Sequence, residues 1–470
     1  MAQDPSGPGP LAFGPPERWD GGVSVTDHMT RVRSDTGLGL RIGALRAGGL
    51  LLAAGGDRVA RLLHRPWRLD PYPVYADLRR QQAATGPVRS RTGITALATH
   101  SSCEAVLRDR RFGVRLADGR RRMEDRDAGG AAADVFEPVD LSLLTLDPPD
   151  HTRLRRLAQP AFAPRRLAQY RAVTEEVAAG LLDEALARAG REGRFDLVHD
   201  LASPLPITVI SALLDVPAVD RERFARWGRA LGSALDGVRS PAHLRSLTAT
   251  TAELRQLFGT LVEQRRRAPG EDVVSALATA VDEGGATGDE VLALAQLLLV
   301  AGFETTTNLI GNAVRALLTT PGQWAALADD PSLAAAAVEE TLRYDPPVQL
   351  TARVAHEDAE VDGVLLRRDA GVLVLLASAG RDPAVHPDPD RFDLRRQQTV
   401  PHLAFSSGVH YCLGAPLARL EGEIALRLLA ERAPRLRAAG RPVPRVATVL
   451  RGPLQLPVTT TARPVGDGHL

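Results

Sequence analysis

The chain has no lysine; all 58 of its basic residues are arginine. Against 57 acidic residues they leave a net charge of +1. No global charge excess therefore points to nucleic acid or an anionic membrane. The arginine usage reads mainly as composition bias, although guanidinium forks do suit an anionic ligand edge. Cysteine is almost as scarce. Cys103 and Cys412 are the only two, which excludes a disulfide framework in a chain of 470 residues. Nothing reads as a signal peptide, because Met1 opens a polar stretch rich in Gly and Pro. The most apolar early run, Gly48 to Gly56, falls far short of a membrane span and is flanked by Arg46 and Arg58. These absences predict a soluble cytoplasmic protein with no nucleic-acid partner and no membrane span.

What remains is ordinary globular composition, 44% hydrophobic and 24% charged, in a chain long enough to enclose a cofactor. Residues 1–64 read as an N-terminal extension. It is disordered to about residue 36, then forms an amphipathic helix over 37–64 that packs on the body. Residues 65–470 read as one catalytic domain. From Leu154 to Tyr344 the pattern is mostly helical. Strand signals are confined to Gly93–Ala98, Val354–Leu366 and Gly371–Leu376. The fold class is thus mainly α with a minor β part. A Gly- and Asp-rich stretch, Asp118 to Ala133, reads as a long loop.

The most specific segment runs from His402 to Arg419. Phe405, Gly408, His410, Cys412 and Gly414 punctuate a loop that feeds a helix opened by Pro416. Cys412 therefore sits just ahead of a helix N-terminus, where free amides and the helix dipole favour a thiolate. Gly408 and Gly414 let backbone approach a flat ligand closely, and Phe405 can pack beside it. A buried structural cysteine in a Gly-rich turn is the plain alternative, and it is the reading preferred for Cys103. The spacing around Cys412 resembles the haem-binding signature of the cytochrome P-450 family. By that resemblance Cys412 is the axial ligand of haem iron, with Phe405 and Gly414 beside the ring. The family usually places Gly directly after the Phe, where this chain has Ser406.

Further segments match in family order. Glu340 and Arg343 lie three apart in the helical run Leu333 to Arg343, so they share a face. Arg391 lies in Pro389-Asp390-Arg391-Phe392. The resemblance implies that Glu340, Arg343 and Arg391 form a buried network under the haem loop. Arg381-Asp382-Pro383 fits as well, with Gly380 where Asn is usual. In Val300 to Asn308 an acid and several hydroxyls interrupt an apolar helix, which is costly unless they are used. Gly302 weakens the helix there, and Thr305 can bond back to Ala301 and bend it. The run Ala301-Gly302-Phe303-Glu304-Thr305 is similar to the family's distal signature. It implies that Glu304 and Thr305 relay protons so that the O–O bond breaks toward water. His151 and Arg155, four apart, resemble the helix that reaches the haem propionates, and Arg353 and His410 match two further propionate-binding places.

The resemblance covers about residue 67 to the end. It implies the family's triangular helical prism enclosing haem b (iron protoporphyrin IX). It further implies a monooxygenase that inserts one atom of O2 into a small organic substrate, secondary metabolites among them. No flavin or nicotinamide motif is seen, so electrons are expected from a separate ferredoxin and ferredoxin reductase. Two alternatives stay open: a haem-thiolate enzyme for oxidative coupling or peroxide-driven oxidation, and a non-catalytic haem sensor. Substrate choice is expected to rest on Gly113 to Leu146, Leu231 to His243, Val300, Ala301 and Val348 to Leu350, with Arg120, Arg121 and Arg122 as a charged run in the first of these.

Overall fold

The computed structural model describes residues 25–119, 143–216, 221–270 and 272–460, with side chains from residue 37 onward except Arg221. The architecture is organised around one helix, Gly288–Thr319, of 32 residues. Its start is fixed by a reciprocal cap. Thr287 Oγ1 accepts from Glu290 N–H at 3.2 Å, and Glu290 Oε2 accepts from Thr287 N–H at 2.8 Å. The helix is apolar enough to pass as a membrane span by length and hydropathy, yet it is mostly enclosed by protein. That is the mark of a core helix. Helices Pro204–Leu213, Arg221–Ala234, Ala334–Tyr344 and Ala415–Arg432 all pack on it, and their apolar faces form one continuous core with it.

The β part is small and lies to one side. A five-stranded sheet runs in the order Val88–Arg89, Thr95–Leu97, Gly371–Val374, Thr351–Ala355, Phe112–Gly113. Thr95–Leu97 pairs in parallel with Gly371–Val374, and the other pairings are antiparallel. The long strand signal Val354–Leu366 resolves into the end of one strand and a separate hairpin, Ala359–Val361 with Val364–Leu366. The hairpin turns at Asp362 and Gly363, both with positive φ, the Asp-Gly chemistry that two-residue hairpins favour. Leu376 leaves the sheet and begins a short helix, Leu376–Ala379.

A fully buried carboxylate ties distant segments together. Asp345 accepts from Tyr72 Oη at 2.5 Å and from Arg451 Nε at 3.0 Å, and it pairs closely with Arg315 of the central helix. Burial alone would raise its carboxyl, but Arg451 and Arg315 hold it below the usual range.

The N-terminal stretch differs from the single helix expected over 37–64. A helix spans Val25–Ala54, the chain turns at Gly55 and Gly56, and Asp57 caps a second helix, Arg58–Leu63, by accepting from Ala60 N–H at 3.0 Å. Val59 and Leu62 are buried with Val74, Tyr75 and Leu78. The packed body therefore begins near Asp57, ahead of the boundary expected at residue 65. Among its described side chains the longer helix meets the rest of the protein along Leu38, Gly39, Ile42, Gly49, Leu52 and Ala53, and the others are exposed. Most of the expected loop Asp118–Ala133, including Arg120, Arg121 and Arg122, lies outside the described residues.

Candidate active site

Helix Ala415–Arg432 starts directly after the glycine-punctuated loop, with Pro416 in its first turn. Cys412 N–H donates to Phe405 O at 2.9 Å, which closes the loop on itself. The Cys412 residue is solvent-accessible, yet its sulfur is surrounded closely enough that burial pushes the thiol up. The amides of Gly414 and Ala415, together with the Arg155 guanidinium, act in the opposite direction and favour the thiolate. Cys103 has no such setting. It is fully buried, its Sγ lies 3.3 Å from Leu97 O, and burial pushes its thiol far up.

Cationic and imidazole side chains gather beside this loop. The His151 and His410 rings lie 4.4 Å apart between centroids. Among the described residues His151 Nδ1 and His410 Nε2 are both buried without a hydrogen-bond partner, and Asp147 Oδ1 lies 3.8 Å from His410 Nε2. Burial, reinforced by His410 and Arg155, pushes His151 down to about 4. Arg353 is 3% exposed, and burial brings its guanidinium down to about 10. Its polar partners are neutral: Ala352 O at 2.8 Å, Thr351 Oγ1 at 3.1 Å and Ser406 Oγ at 3.4 Å. Arg155 is half-buried, and burial lowers it too. Ser406, at the family's glycine position, adopts φ +62°, the left-handed conformation that glycine takes without strain. Phe405 is half-buried against His402 and Tyr411, with the Arg419 guanidinium 4.6 Å above its ring.

Glu340 and Arg343 form a two-pronged ion pair, with Arg343 Nε and Nη2 each 2.7 Å from a Glu340 oxygen. The third member is Arg396, whose Nε reaches Glu340 Oε1 at 3.1 Å. This corrects the expectation for Arg391. That residue is exposed and offers only its backbone carbonyl, to Arg343 at 3.0 Å and to Arg396 at 2.8 Å. The chain turns between Asp388 and Arg391, and Arg396 reaches back into the gap. Gly380, where Asn is usual, has a spatial reason. A Cβ there would lie 2.2 Å from Arg343 O, and its own carbonyl accepts from Arg343 Nη1 at 2.8 Å. Beside this network Glu339 binds Arg419 Nε at 2.6 Å and His402 at 3.3 Å, linking the helix Ala334–Tyr344 to both ends of the cysteine loop.

On the central helix Thr305 Oγ1 donates to Ala301 O at 2.7 Å, but the helix stays unbroken. Gly302 does more than loosen it. A Cβ there would lie 2.8 Å from Ile210 Cδ1, so the glycine lets helix Pro204–Leu213 approach closely. Glu304 is 4% exposed and forms a close ion pair with Arg445, whose side chain is itself nearly enclosed. Burial raises the Glu304 carboxyl, while Arg445 and Arg229 oppose that rise. Farther along, Thr307 Oγ1, both amide atoms of Asn308 and Asn312 Oδ1 are buried without partners.

The expected specificity segments converge here in part. Gly232 lies against Leu450, at 3.1 Å from its Cβ position, and Glu304 Cγ, at 3.5 Å. Val348 bridges to Leu450, and Ala301 is exposed. Most of Gly113 to Leu146 lies outside the described residues. Sequence reading missed Arg396, Arg445, Leu450 and Glu421. The last is buried nine positions beyond Cys412 with Oε2 unpaired, and burial pushes its carboxyl far up. Nothing in Arg395-Arg396 distinguishes the one that turns inward. Arg445 and Leu450 gain their meaning only from the folding back of the C-terminal hairpin.

The sequence profile of the cytochrome P-450 family matches residues 137–432. The chain belongs to the cytochrome P-450 family. Among its relatives, cytochrome P-450 140 of Mycobacterium tuberculosis is 43% identical over 415 residues, covering 86% of this chain and 92% of the relative. The cytochrome P-450 monooxygenase PikC of Streptomyces venezuelae is 42% identical over 382 residues, covering 80% and 86%. The ligand-free crystal structure of CYP164A2 from Mycobacterium smegmatis superposes with a TM-score of 0.74 at 39% identity, covering 86% of this chain and 99% of that one. The chain is therefore a cytochrome P-450 monooxygenase with the family's mainly helical fold, and its cofactor is haem b. The residues present fit that group. A sulfur supported by helix-terminal amides faces one way. A desolvated Arg353 with only neutral hydrogen-bond partners and the buried imidazole nitrogens of His151 and His410 supply donors for two propionates, with the Asp147 carboxylate 3.8 Å from His410 Nε2.

Proposed function

We propose that this cytochrome P-450 inserts one atom of O2 into a small, largely apolar organic molecule in the cytoplasm, drawing electrons from a separate ferredoxin and ferredoxin reductase. The observation that carries the reading is the setting of Cys412: a sulfur at a helix start, where burial pushes the thiol up while Gly414 N–H, Arg155 and Ala415 N–H supply the donors and positive charge that a thiolate ligand needs. When bound, haem supplies the iron at which O2 is activated, and a thiolate ligand favours O–O cleavage.

The chain's own residues divide the remaining work. His151, Arg155, Arg353 and His410 would hold the propionates by charge-assisted bonds, and Phe405 and Gly414 would lie beside the ring. Glu340 and Arg343 fix the segment leading to the loop. Arg343 binds the carbonyls of Gly380, Pro389 and Arg391, and Glu340 accepts from Asp393 N–H at 2.8 Å. Thr305 and Glu304 manage protons on the opposite side. The Thr305 hydroxyl can release Ala301 O to donate elsewhere, and Glu304 recharges it. Burial favours the protonated form of Glu304, whereas Arg445 favours the carboxylate. Burial is the larger influence, so the carboxyl lies above its ordinary value.

Ala301 is exposed one turn before Thr305, and Leu450, bridged to Val348, meets Gly232 beside Glu304; these apolar neighbours support an apolar substrate. A spectral-shift screen of ferric protein tests this directly. Apolar compounds are expected to displace iron-bound water, and those that do are turned over with a surrogate ferredoxin–reductase pair. Binding restricted to charged compounds, or no turnover of any binder, contradicts the reading.

A further inference from the structure

Over residues 37–54 the helix Val25–Ala54 carries an outward face that none of the described residues covers. Leu40, Ala44, Ala47, Leu51 and Ala54 recur at spacings of four, three, four and three, so they form one stripe. All five are exposed, Leu40 by 71% and Leu51 by 74%. The opposite face holds the contacts with the body. Leu38 packs with Leu244 and Leu247, and His64 of the following segment lies against Gly49. Arg41 and Arg46 are exposed and sit roughly 100° to either side of the stripe, given 3.6 residues per turn. No Asp or Glu occurs between Gly37 and Gly56.

A helix with an apolar outer face and cationic edges lies in the plane of a bilayer, apolar side down and charges at the headgroups. Charge argues against crossing one. The 18-residue run Gly37–Ala54 spans about 27 Å at 1.5 Å per residue, but it carries Arg41 and Arg46 inside it. Charge also argues against a second copy of the chain as the occupant. The four–three spacing suits a helix–helix seam, but in a parallel, in-register pairing Arg41 and Arg46 would flank like charges along the acid-free stretch Gly37 to Gly56. We propose that this stripe seats the protein in the plane of an anionic phospholipid surface, with Arg41 and Arg46 at the headgroups. Seated there, the protein turns toward the bilayer the edge formed by Arg221–Ala234 and Pro241–Arg267, against which Leu38 packs.

The test uses the full-length haem-loaded protein in co-sedimentation with vesicles. One set is an equal mixture of phosphatidylglycerol and phosphatidylcholine, the other phosphatidylcholine alone. The protein is expected to pellet with the anionic vesicles, and less so as salt rises from about 0.1 M to about 1 M and screening shortens. The exposed-residue variant L40Q/L51Q should weaken vesicle binding about tenfold or more and keep the haem spectrum unchanged. R41Q/R46Q should weaken binding to the anionic vesicles only. Failure to pellet, binding that L40Q/L51Q leaves intact, or a lipid-free dimer that L40Q/L51Q dissociates would each overturn the proposal, the last in favour of a second copy as the partner.

Discussion

Glu340 and Arg343 share two hydrogen bonds of 2.7 Å in a setting where neither side chain keeps more than about one per cent of its exposure. Removing one partner of such a pair strands the other charge, a loss of about 3–5 kcal/mol. Glu340→Ala is therefore expected to yield little soluble haem-loaded protein. The identity of the second arginine gives a sharper comparison. Arg396→Ala should lower the melting temperature clearly, whereas Arg391→Ala should change it little, because only the Arg391 carbonyl is used. Equal effects of the two substitutions, measured by thermal melts of the holoprotein, would count against this geometry.

Proton handling depends on the pairing of Glu304 with Arg445. Thr305→Ala should keep substrate affinity but divert electrons into hydrogen peroxide, and Glu304→Gln should slow turnover. Arg445→Gln removes a charge that holds the buried acid down, so the Glu304 carboxyl should rise further and any turnover limb that it controls should move to higher pH. Full coupling in both Thr305→Ala and Glu304→Gln, or a pH profile untouched by Arg445→Gln, contradicts the assignment.

His386 is 2% exposed beside the Arg343 network, its Nε2 has no partner, and burial, with Arg343 nearby, pushes it down to about 4. Its folded value thus lies below the ordinary 6.5. The unfolded chain takes up a proton that the folded one refuses, so stability is full above about 6.5 and falls as pH drops toward 4. His386→Gln should flatten the acid side of a stability-against-pH curve. An unchanged slope between pH 6.5 and 4 is the contrary result.

Ser406 holds φ +62° where glycine rests without strain, and in exchange its hydroxyl accepts from Arg353 at 3.4 Å. That bond is long and weak, so relief of backbone strain should dominate. Ser406→Gly is expected to leave haem content intact and raise stability by about 1 kcal/mol, and Ser406→Ala to lower it. A melting temperature that drops in Ser406→Gly would show that the Arg353 contact matters more.

Much of the site was legible because its chemistry is packed into short segments. The spacing from Phe405 to Gly414, the acid–alcohol pair Glu304–Thr305 and the helical pair Glu340–Arg343 each stand out through local resemblance to the family's signatures, and the last is a buried ion pair in the structure. Arg396, Arg445 and Leu450 did not, because their partners lie far away in sequence and only chain reversals bring them in. Gly302 and Gly380 carried a second meaning, close approach of Ile210 and of Arg343 O, that no single segment encodes. At the N-terminus, apolar periodicity marked the helix but not which face the body would cover. The break at Gly55 and Gly56 divided what the pattern joined.

Thiolate ligation by Cys412 is the centre of the account, and the carbon monoxide complex of the reduced protein tests it most directly. The wild-type protein and Cys103→Ser should both show the strongly red-shifted Soret band of a thiolate-ligated haem, and Cys412→Ser should lose it. A band that survives intact in Cys412→Ser, or that disappears in Cys103→Ser alone, would contradict the assignment.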